Sequence, residues 1–241
     1  MERKSSLIIA FLITSLIVGN YLFFADEGIV REKVEISRVL DGDTVELADG
    51  RRIRLLNINT PEKGLPYSDI AKNYLLNFTD VELETSGLDR YDRILGKLYF
   101  GDYYLNLELV KNGMAHSYLV SDSEENLFEK AEQYARDNEK NIWEKSNFNN
   151  CLLIEINKYE EYVDINDSCY VDFTGWTIKD ESTKSYKFKK DVGESFRLYS
   201  TKGTDNKYEL YWGRDNIWNN DHDEIFVRDS NGFLVYYYSY K

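Results

Sequence analysis

A chain of 241 residues with 42% hydrophobic content can build one large or two modest folded domains, which excludes a disordered tail. Its 43 acidic residues against 30 basic ones give a formal net charge of −13, which argues against a broad basic nucleic-acid-binding surface and confines any phosphate chemistry to a local site. With 20 Tyr and only 2 Pro the composition favours strands, and two cysteines and two histidines offer neither a CxxC nor a Cys/His zinc spacing.

The chain opens on "MERKSSLIIAFLITSLIVGNYLFFADE". Arg3 and Lys4 precede an apolar run from Leu7 to Ala25, long enough for a helix across the hydrocarbon layer. Bulky Leu22 and Phe23 stand where a cleavable signal would carry small residues, so the pattern reads as an uncleaved signal anchor. Positive charge before the span predicts the N-terminus inside and the rest of the chain outside the membrane. Cleavage of this segment would instead release a secreted protein.

From Lys33 to Phe100 strand signals dominate. "VEISRVL" leads into "DGDTVELA", Asp49-Gly50 supplies a hairpin turn, and "RRIRLLNI" returns. "SDIAKNYLLNF" places Ile70, Ala71, Tyr74, Leu75 and Phe78 on one helical stripe, with Ser68 as its expected N-cap. "VELET" and "ILGKLYF" read as strands around the charged turn "GLDRYDR", and "YLNLELVKNG" as a helix ending at a left-handed Gly113. "SEENLFEKAEQYARDNEKNIW" carries Leu127, Phe128, Ala131, Tyr134 and Ala135 at helical spacing, with Ser121 and Glu124 placed for a capping box.

The polar, non-periodic "EKSNFNN" marks a domain boundary near residues 144–150. Beyond it "CLLIEI", "YVDIND", "GWTIKD", "SYKF", "SFRLYS", "KYELYW", "EIFVRD" and "FLVYYYSY" follow at short intervals, with an Asn231-Gly232 turn before the last, as in a β-sandwich. The expected fold is mostly β: residues 1–32 as anchor and linker, 33–146 as a barrel closed by helices, 147–241 as a sandwich. Cys151 and Cys169 read equally as a buried thiol pair or a disulfide, with the disulfide favoured outside the cytosol.

The candidate chemistry sits in "DGDTVELADGRRIRLLNINTPE". Asp43 and the Asn59-Thr60 pair offer hard oxygen donors suited to Ca²⁺ or Mg²⁺ and not to zinc. Arg54 and Arg93 could grip a phosphodiester and offset charge that builds in its transition state. Glu62 could orient or deprotonate water. Singly, each has a plain reading: an alternating strand arginine is a solvated face, and Asp-Gly-Asp is a turn.

In combination, "VLDGDTVEL", "IRLLNINTPE", "DRYDR" and "NIW" resemble the thermonuclease (staphylococcal nuclease) family, in order and over roughly Lys33 to Trp143. The resemblance implies an OB-type five-stranded barrel with capping helices, and a Ca²⁺-dependent phosphodiesterase cutting DNA and RNA at the 5′ side of the phosphate. It assigns Asp43 as a calcium ligand, the Thr60 carbonyl as another, Arg54 and Arg93 as phosphate-binding arginines, and Glu62 as the carboxylate of the attacking water. Arg90 and Tyr91 match its nucleotide-contacting pair, with Tyr91 suited to stacking on a base. Asn59 stands where well-known members carry an aspartate ligand, so calcium affinity should fall.

The C-terminal stretches "VDFTGWTIKD" and "IWNNDHDEIFVRD" resemble a lamin-tail domain, an immunoglobulin-like sandwich, which implies no chemistry of its own. Trp176, Trp212 and Trp218 then read as packing residues, and Asp221, His222 and Asp223 as a loop with at most a weak cation site. Two rivals from other classes stand beside the anchored endonuclease: a catalytically silent OB-type binding module, and a surface adhesion protein in which the sandwich does the work.

Overall fold

The computed structural model describes residues 30–182, 184–189 and 192–240. The expected signal anchor falls within residues 1–29 and so lies outside the described residues. Among the described residues no helix is long and apolar enough to cross a membrane.

The first half is a mostly β, closed five-stranded barrel of OB-like form. Strands β1 (Glu32–Val39), β2 (Thr44–Leu47) and β3 (Arg52–Leu55) run antiparallel in order, then β4 (Ile58–Asn59) leaves the barrel. After helix α1 (Ser68–Leu75), β5 (Asp80–Leu88) pairs with β1's far edge and with β6 (Ile94–Phe100). The parallel pairing of β3 with β6, Ile53 opposite Ile94 and Arg54 opposite Leu95, closes the circle. Alternation decides which side chains fill it: Val45, Leu47, Ile53, Leu55, Leu83 and Leu98 point inward and are fully buried, each contributing about 1.5–3 kcal/mol of hydrophobic stabilisation.

Short β7 (Tyr103–Tyr104) folds back antiparallel on the end of β6, and α2 (Leu105–Lys111) covers the barrel end. Buried Asn106 satisfies itself there: its Oδ1 accepts from Leu98 N–H, and its Nδ2 donates to the Leu56 and Gly96 carbonyls. Gly113 takes φ +63° at the end of α2, and a Cβ there would lie 2.1 Å from the Lys140 carbonyl oxygen, so only glycine fits. β8 (His116–Ser117) then pairs with β4, and α3 (Glu125–Asp137) leads into a 3-10 turn at Asn141–Trp143.

Three local expectations are corrected. Ser68 is the first helical residue of α1; the N-cap is Tyr67, held at φ 66°, with no capping side chain. The Ser121–Glu124 capping box does not form, because the Glu124 carboxylate is drawn away to Asn57 Nδ2 at 2.8 Å and Lys97 Nζ at 3.0 Å, a charged partner outcompeting an exposed backbone N–H. The apolar face of α3 is also narrower than its spacing suggests: Phe128, Ala131 and Ala135 are buried, Leu127 and Tyr134 are exposed, and Glu132 is buried in their place.

All eight expected C-terminal strands are present: β9 (Leu152–Asn157), β10 (Tyr162–Asp167), β11 (Thr177–Lys179), β12 (Ser185–Lys187), β13 (Ser195–Tyr199), β14 (Glu209–Tyr211), β15 (Asp223–Arg228) and β16 (Leu234–Tyr240). They make two four-stranded sheets, ordered β14-β13-β10-β9 and β12-β11-β15-β16, over one core that includes Val163, Ile165, Phe173, Trp176, Ile178, Phe196, Trp218 and Val227. Trp176 and Trp218 are buried and Trp212 packs against the same core, so the tryptophans do serve packing. Cys151 and Cys169 are joined in a disulfide, with a Cα–Cα distance of 5.2 Å.

Lys33–Lys241 forms one compact unit. A third core of Ala135, Ile142, Trp143, Phe226 and Leu234, with Tyr67 and Tyr237 against it, joins barrel to sheets. The segment after Trp143 is bonded, not free: Leu234 N–H donates to Glu144 O and Ser146 N–H donates to Leu234 O, both at 2.8 Å, and Ser146 Oγ donates to Asp229 Oδ2 at 2.7 Å.

Candidate active site

Strand register brings the first pair together. Thr44 stands directly opposite Arg54 in the β2–β3 hairpin, so Asp43, one residue earlier, meets the same arginine, and Leu55 N–H donates to the Asp43 carbonyl at 2.8 Å. Arg54 Nε lies 3.3 Å from Asp43 Oδ1. Its remaining nitrogens donate to the Leu55 carbonyl and, at 2.9 Å, to the Ile58 carbonyl, which fixes the guanidinium at the barrel rim.

Asp43 is 9% exposed, and its Oδ2 accepts from Thr60 N–H at 3.2 Å and Thr60 Oγ at 3.0 Å. Burial pushes its carboxyl above the usual range; Arg54 pulls the other way, and neighbouring Asp41 adds to the rise. A buried carboxylate with a second one beside it is a place where a cation is favoured. Asn59 is 5% exposed and sits on β4, where pairing with His116 of β8 fixes it beside Thr60. The oxygens of Asp43, Asp41, Asn59 and Thr60 are all hard donors and fit Ca²⁺, with two carboxylates and so modest affinity. Among the described residues no three His, Cys, Asp or Glu side chains gather into a metal-holding group, so neutral oxygens must complete any such shell.

Closure of the barrel delivers the second arginine. Arg93 ends the turn between β5 and β6, and β6 is the strand that pairs with β3. Asp89 holds that turn: its Oδ1 accepts from the N–H groups of Tyr91 and Arg93, and its Oδ2 from Arg93 Nε at 2.8 Å. Desolvation pushes the Asp89 carboxyl up, but these bonds outweigh it and hold it below the usual range. Arg93 Nη1 also donates to Thr44 Oγ at 3.3 Å, which ties it to the strand start beside Asp43. Tyr91 is 63% exposed, with the Arg90 guanidinium 4.8 Å and the Arg93 guanidinium 5.6 Å from its ring centre.

Glu62 follows Pro61 in the loop after β4 and is exposed; among the described residues its carboxylate has no hydrogen-bond partner. Asp41, Asp43, Arg54, Asn59, Thr60, Glu62, Arg90, Tyr91 and Arg93 all line one cavity of about 650 Å³. Every nuclease-site candidate from the sequence therefore reaches the same place. Sequence reasoning missed Asp41 and Asp89, although an aspartate two residues before the backbone N–H it caps is the signature of an Asx turn, and Asp89 repeats it across "DRYDR".

Elsewhere the loop reading of Asp221-His222-Asp223 holds for Asp221 and His222 and is corrected at Asp223. Asp223 is buried at the start of β15, where its oxygens take the N–H groups of Glu181, Asn219 and Glu224. His222 stays exposed, 3.3 Å from Asp221.

Residues 52–145 match the family described as Staphylococcal nuclease homologue. A protein named Thermonuclease from Staphylococcus intermedius is 32% identical over 130 residues, covering 47% of this chain and 77% of that protein. An "Uncharacterized endonuclease" of Haemophilus influenzae is 31% identical over 145 residues, covering 56% of this chain and 79% of that protein. A Micrococcal nuclease of Shigella flexneri is 33% identical over 99 residues, 35% of this chain and 57% of its own length.

Proposed function

This chain belongs to the staphylococcal nuclease family and is a nuclease, and from that premise we propose a calcium-dependent endonuclease that hydrolyses DNA and RNA in the cavity of Asp43, Arg54, Glu62 and Arg93. The observation that carries this reading is the convergence of two guanidiniums, a buried carboxylate and a solvent-facing carboxylate on one cavity of about 650 Å³.

Arg54 lies on β3 and Arg93 in the turn just before β6, the strand that pairs with β3, and the two hold the free oxygens of the phosphodiester, more strongly as charge builds on them. Glu62 accepts a proton from a water as the water oxygen bonds to phosphorus, the P–O bond to the leaving sugar breaks, and the departing sugar oxygen takes up a proton from solvent. Tyr91, backed by Arg90, stacks on a base. Asp43, Asp41, Asn59 and Thr60 would hold the calcium ion, which when bound supplies positive charge beside the phosphate.

The finer placement is part of the same proposal. Residues 1–32 anchor the chain, 33–146 form the nuclease part and 147–241 an accessory lamin-tail, immunoglobulin-like domain outside the cytoplasm. The apolar run behind Arg3 and Lys4 supports the anchor, the two facing sheets support the sandwich, and the Cys151–Cys169 bridge supports an oxidising compartment.

The test is digestion of single-stranded DNA and RNA by the full chain in calcium and in chelator, beside Glu62→Gln. Calcium-dependent cutting that falls about 10²–10⁴-fold in the variant is expected. Well-folded protein that cuts neither polymer at millimolar calcium rejects the reading.

A further inference from the structure

A second recess, of about 280 Å³, opens on the other side of the catalytic loop and shares Asn59, Thr60, Pro61 and Glu62 with the first cavity. Its far wall is the outer face of the sheet β12-β11-β15, with Lys179, Lys187, Arg228, Ser182 and Ser185 among its lining.

The register of those strands makes the face unusual. Lys187 and Arg228 both stand directly opposite Thr177, one on each side, and Lys179 lies two residues on, opposite Ser185 and Phe226. Three cations thus crowd one patch of three adjacent strands in a chain of net charge −13, where like charges on neighbouring strands cost stability. Two of them bond to neutral carbonyls: Lys179 Nζ donates to Ser182 O at 2.8 Å and Arg228 Nη1 to Gly232 O at 3.1 Å. The carboxylate of Asp229, on the same wall, is spent on Asn231 N–H, Phe233 N–H and Ser146 Oγ. Desolvation brings Lys179 down to about 8, with Arg228 adding to the fall and the Asp180, Glu224 and Asp223 carboxylates opposing it, and brings Arg228 down to about 10 against the opposing pull of Tyr67 and Asp229. Carboxylates thus act on these cations from a distance, but among the described residues none forms a salt bridge with Lys179, Lys187 or Arg228, and Asp180 pairs instead with Lys184 at 3.9 Å.

We propose that this recess is a phosphate subsite: Lys179, Lys187 and Arg228 bind a backbone phosphate of the substrate strand next to the one held by Arg54 and Arg93. The proposal rests on the nuclease reading and deepens it. The wall common to both recesses is the loop that carries Glu62, so a strand crossing it has one phosphate on each side of the carboxylate that activates the water. The sandwich then extends the substrate cleft, and its volume of about 280 Å³, at the small end of ligand pockets, admits one strand and not a duplex.

The experiment measures binding in chelator, so that no strand is cut, of a single-stranded oligothymidylate 12-mer and of a thymidine dinucleotide with a single phosphate. Lys187→Glu, at an exposed position, and Lys179→Met, which removes the ammonium that lies 4.8 Å from the Phe226 ring centre while keeping an apolar side chain of similar length, are compared with the unaltered chain. Each is expected to weaken the 12-mer about five-fold more than the dinucleotide, and to flatten the dependence of log affinity on log salt by about 0.7. Unchanged 12-mer affinity in variants of native circular dichroism overturns the subsite, and so does an equal loss for both ligands, which would mean diffuse attraction. Cutting of the same 12-mer by the unaltered chain in calcium tests the nuclease reading separately.

Discussion

Arg54 Nε stands 3.3 Å from Asp43 Oδ1, so the arginine that would hold the phosphate also neutralises the carboxylate that would hold the cation. In this state the two halves of the catalytic apparatus satisfy each other. Binding of calcium and phosphate must exchange that contact for two others. Asp43→Asn removes the buried charge whose carboxyl is raised by burial, so in chelator its Tm should equal or exceed that of the unaltered chain. Calcium should raise the Tm of the unaltered chain and leave the variant's unmoved, because only an ion that binds the folded state shifts it. Thermal melts with and without calcium check both.

Asn59→Asp adds an anionic donor beside Asp43 and Thr60. The calcium concentration for half-maximal cutting should fall, on the order of tenfold. Without calcium the added carboxylate enters a 5%-exposed position near another buried one, so the Tm in chelator should drop. A calcium titration that does not move removes Asn59 from the ligand shell.

Gly42 couples fold to site. A Cβ there would lie 2.7 Å from Thr60 Oγ, 2.8 Å from Thr60 Cβ and 2.9 Å from the Cβ of Ala71. Gly42→Ala must therefore push Thr60 off Asp43 or α1 off the barrel, at a cost of about 1–3 kcal/mol. Urea midpoint and calcium-induced thermal shift should both decline, where a surface change would alter neither.

Glu132 should contribute a loss of stability as pH rises toward 8, with Glu181, raised to about 7, acting in the same sense and buried His116 in the opposite sense below its ordinary pKa. Burial pushes the Glu132 carboxyl up to about 8, nearby Glu224 adds to this, and the Ser117 N–H and Arg136 oppose it; His116 Nδ1, 3.5 Å away, faces it as a neutral ring because burial drives its pKa well down. A raised acid contributes stability that is full below its ordinary pKa and lost as pH climbs through the folded value, here between about 4.5 and 8. Lys179, lowered to about 8, acts above that window and not within it. Glu132→Gln, which keeps an acceptor for Ser117 N–H, should shrink the Tm loss between pH 5 and 8 by on the order of 5 °C in scanning calorimetry.

Strand alternation and turn residues made the barrel strands and the eight C-terminal strands legible, because period 2 and Asp-Gly or Asn-Gly turns are local signals. The site residues were legible only jointly, as order and spacing of motifs. What the sequence did not reveal is set by competition over long distances. Glu124 left its cap for Asn57 and Lys97, residues 67 and 27 positions away in a fold that local spacing cannot encode. Asp89 looked like one more charge in a polar turn, yet it orients Arg93. The cation-bearing face of β11, β12 and β15 escaped notice because Lys179, Lys187 and Arg228 become neighbours only once strand register is known.

The core of Ile142, Trp143, Phe226 and Leu234 has a consequence for how the protein can be taken apart. A gene cut after codon 146 would yield a barrel with the Trp143 indole, buried in the intact chain, open to water, and a partner fragment missing the strand-like segment that pairs with Leu234. The nuclease half is thus no interchangeable cassette: transplanted alone it would be sticky, and grafted to a new neighbour it would need that neighbour to offer an aromatic lid of the same shape.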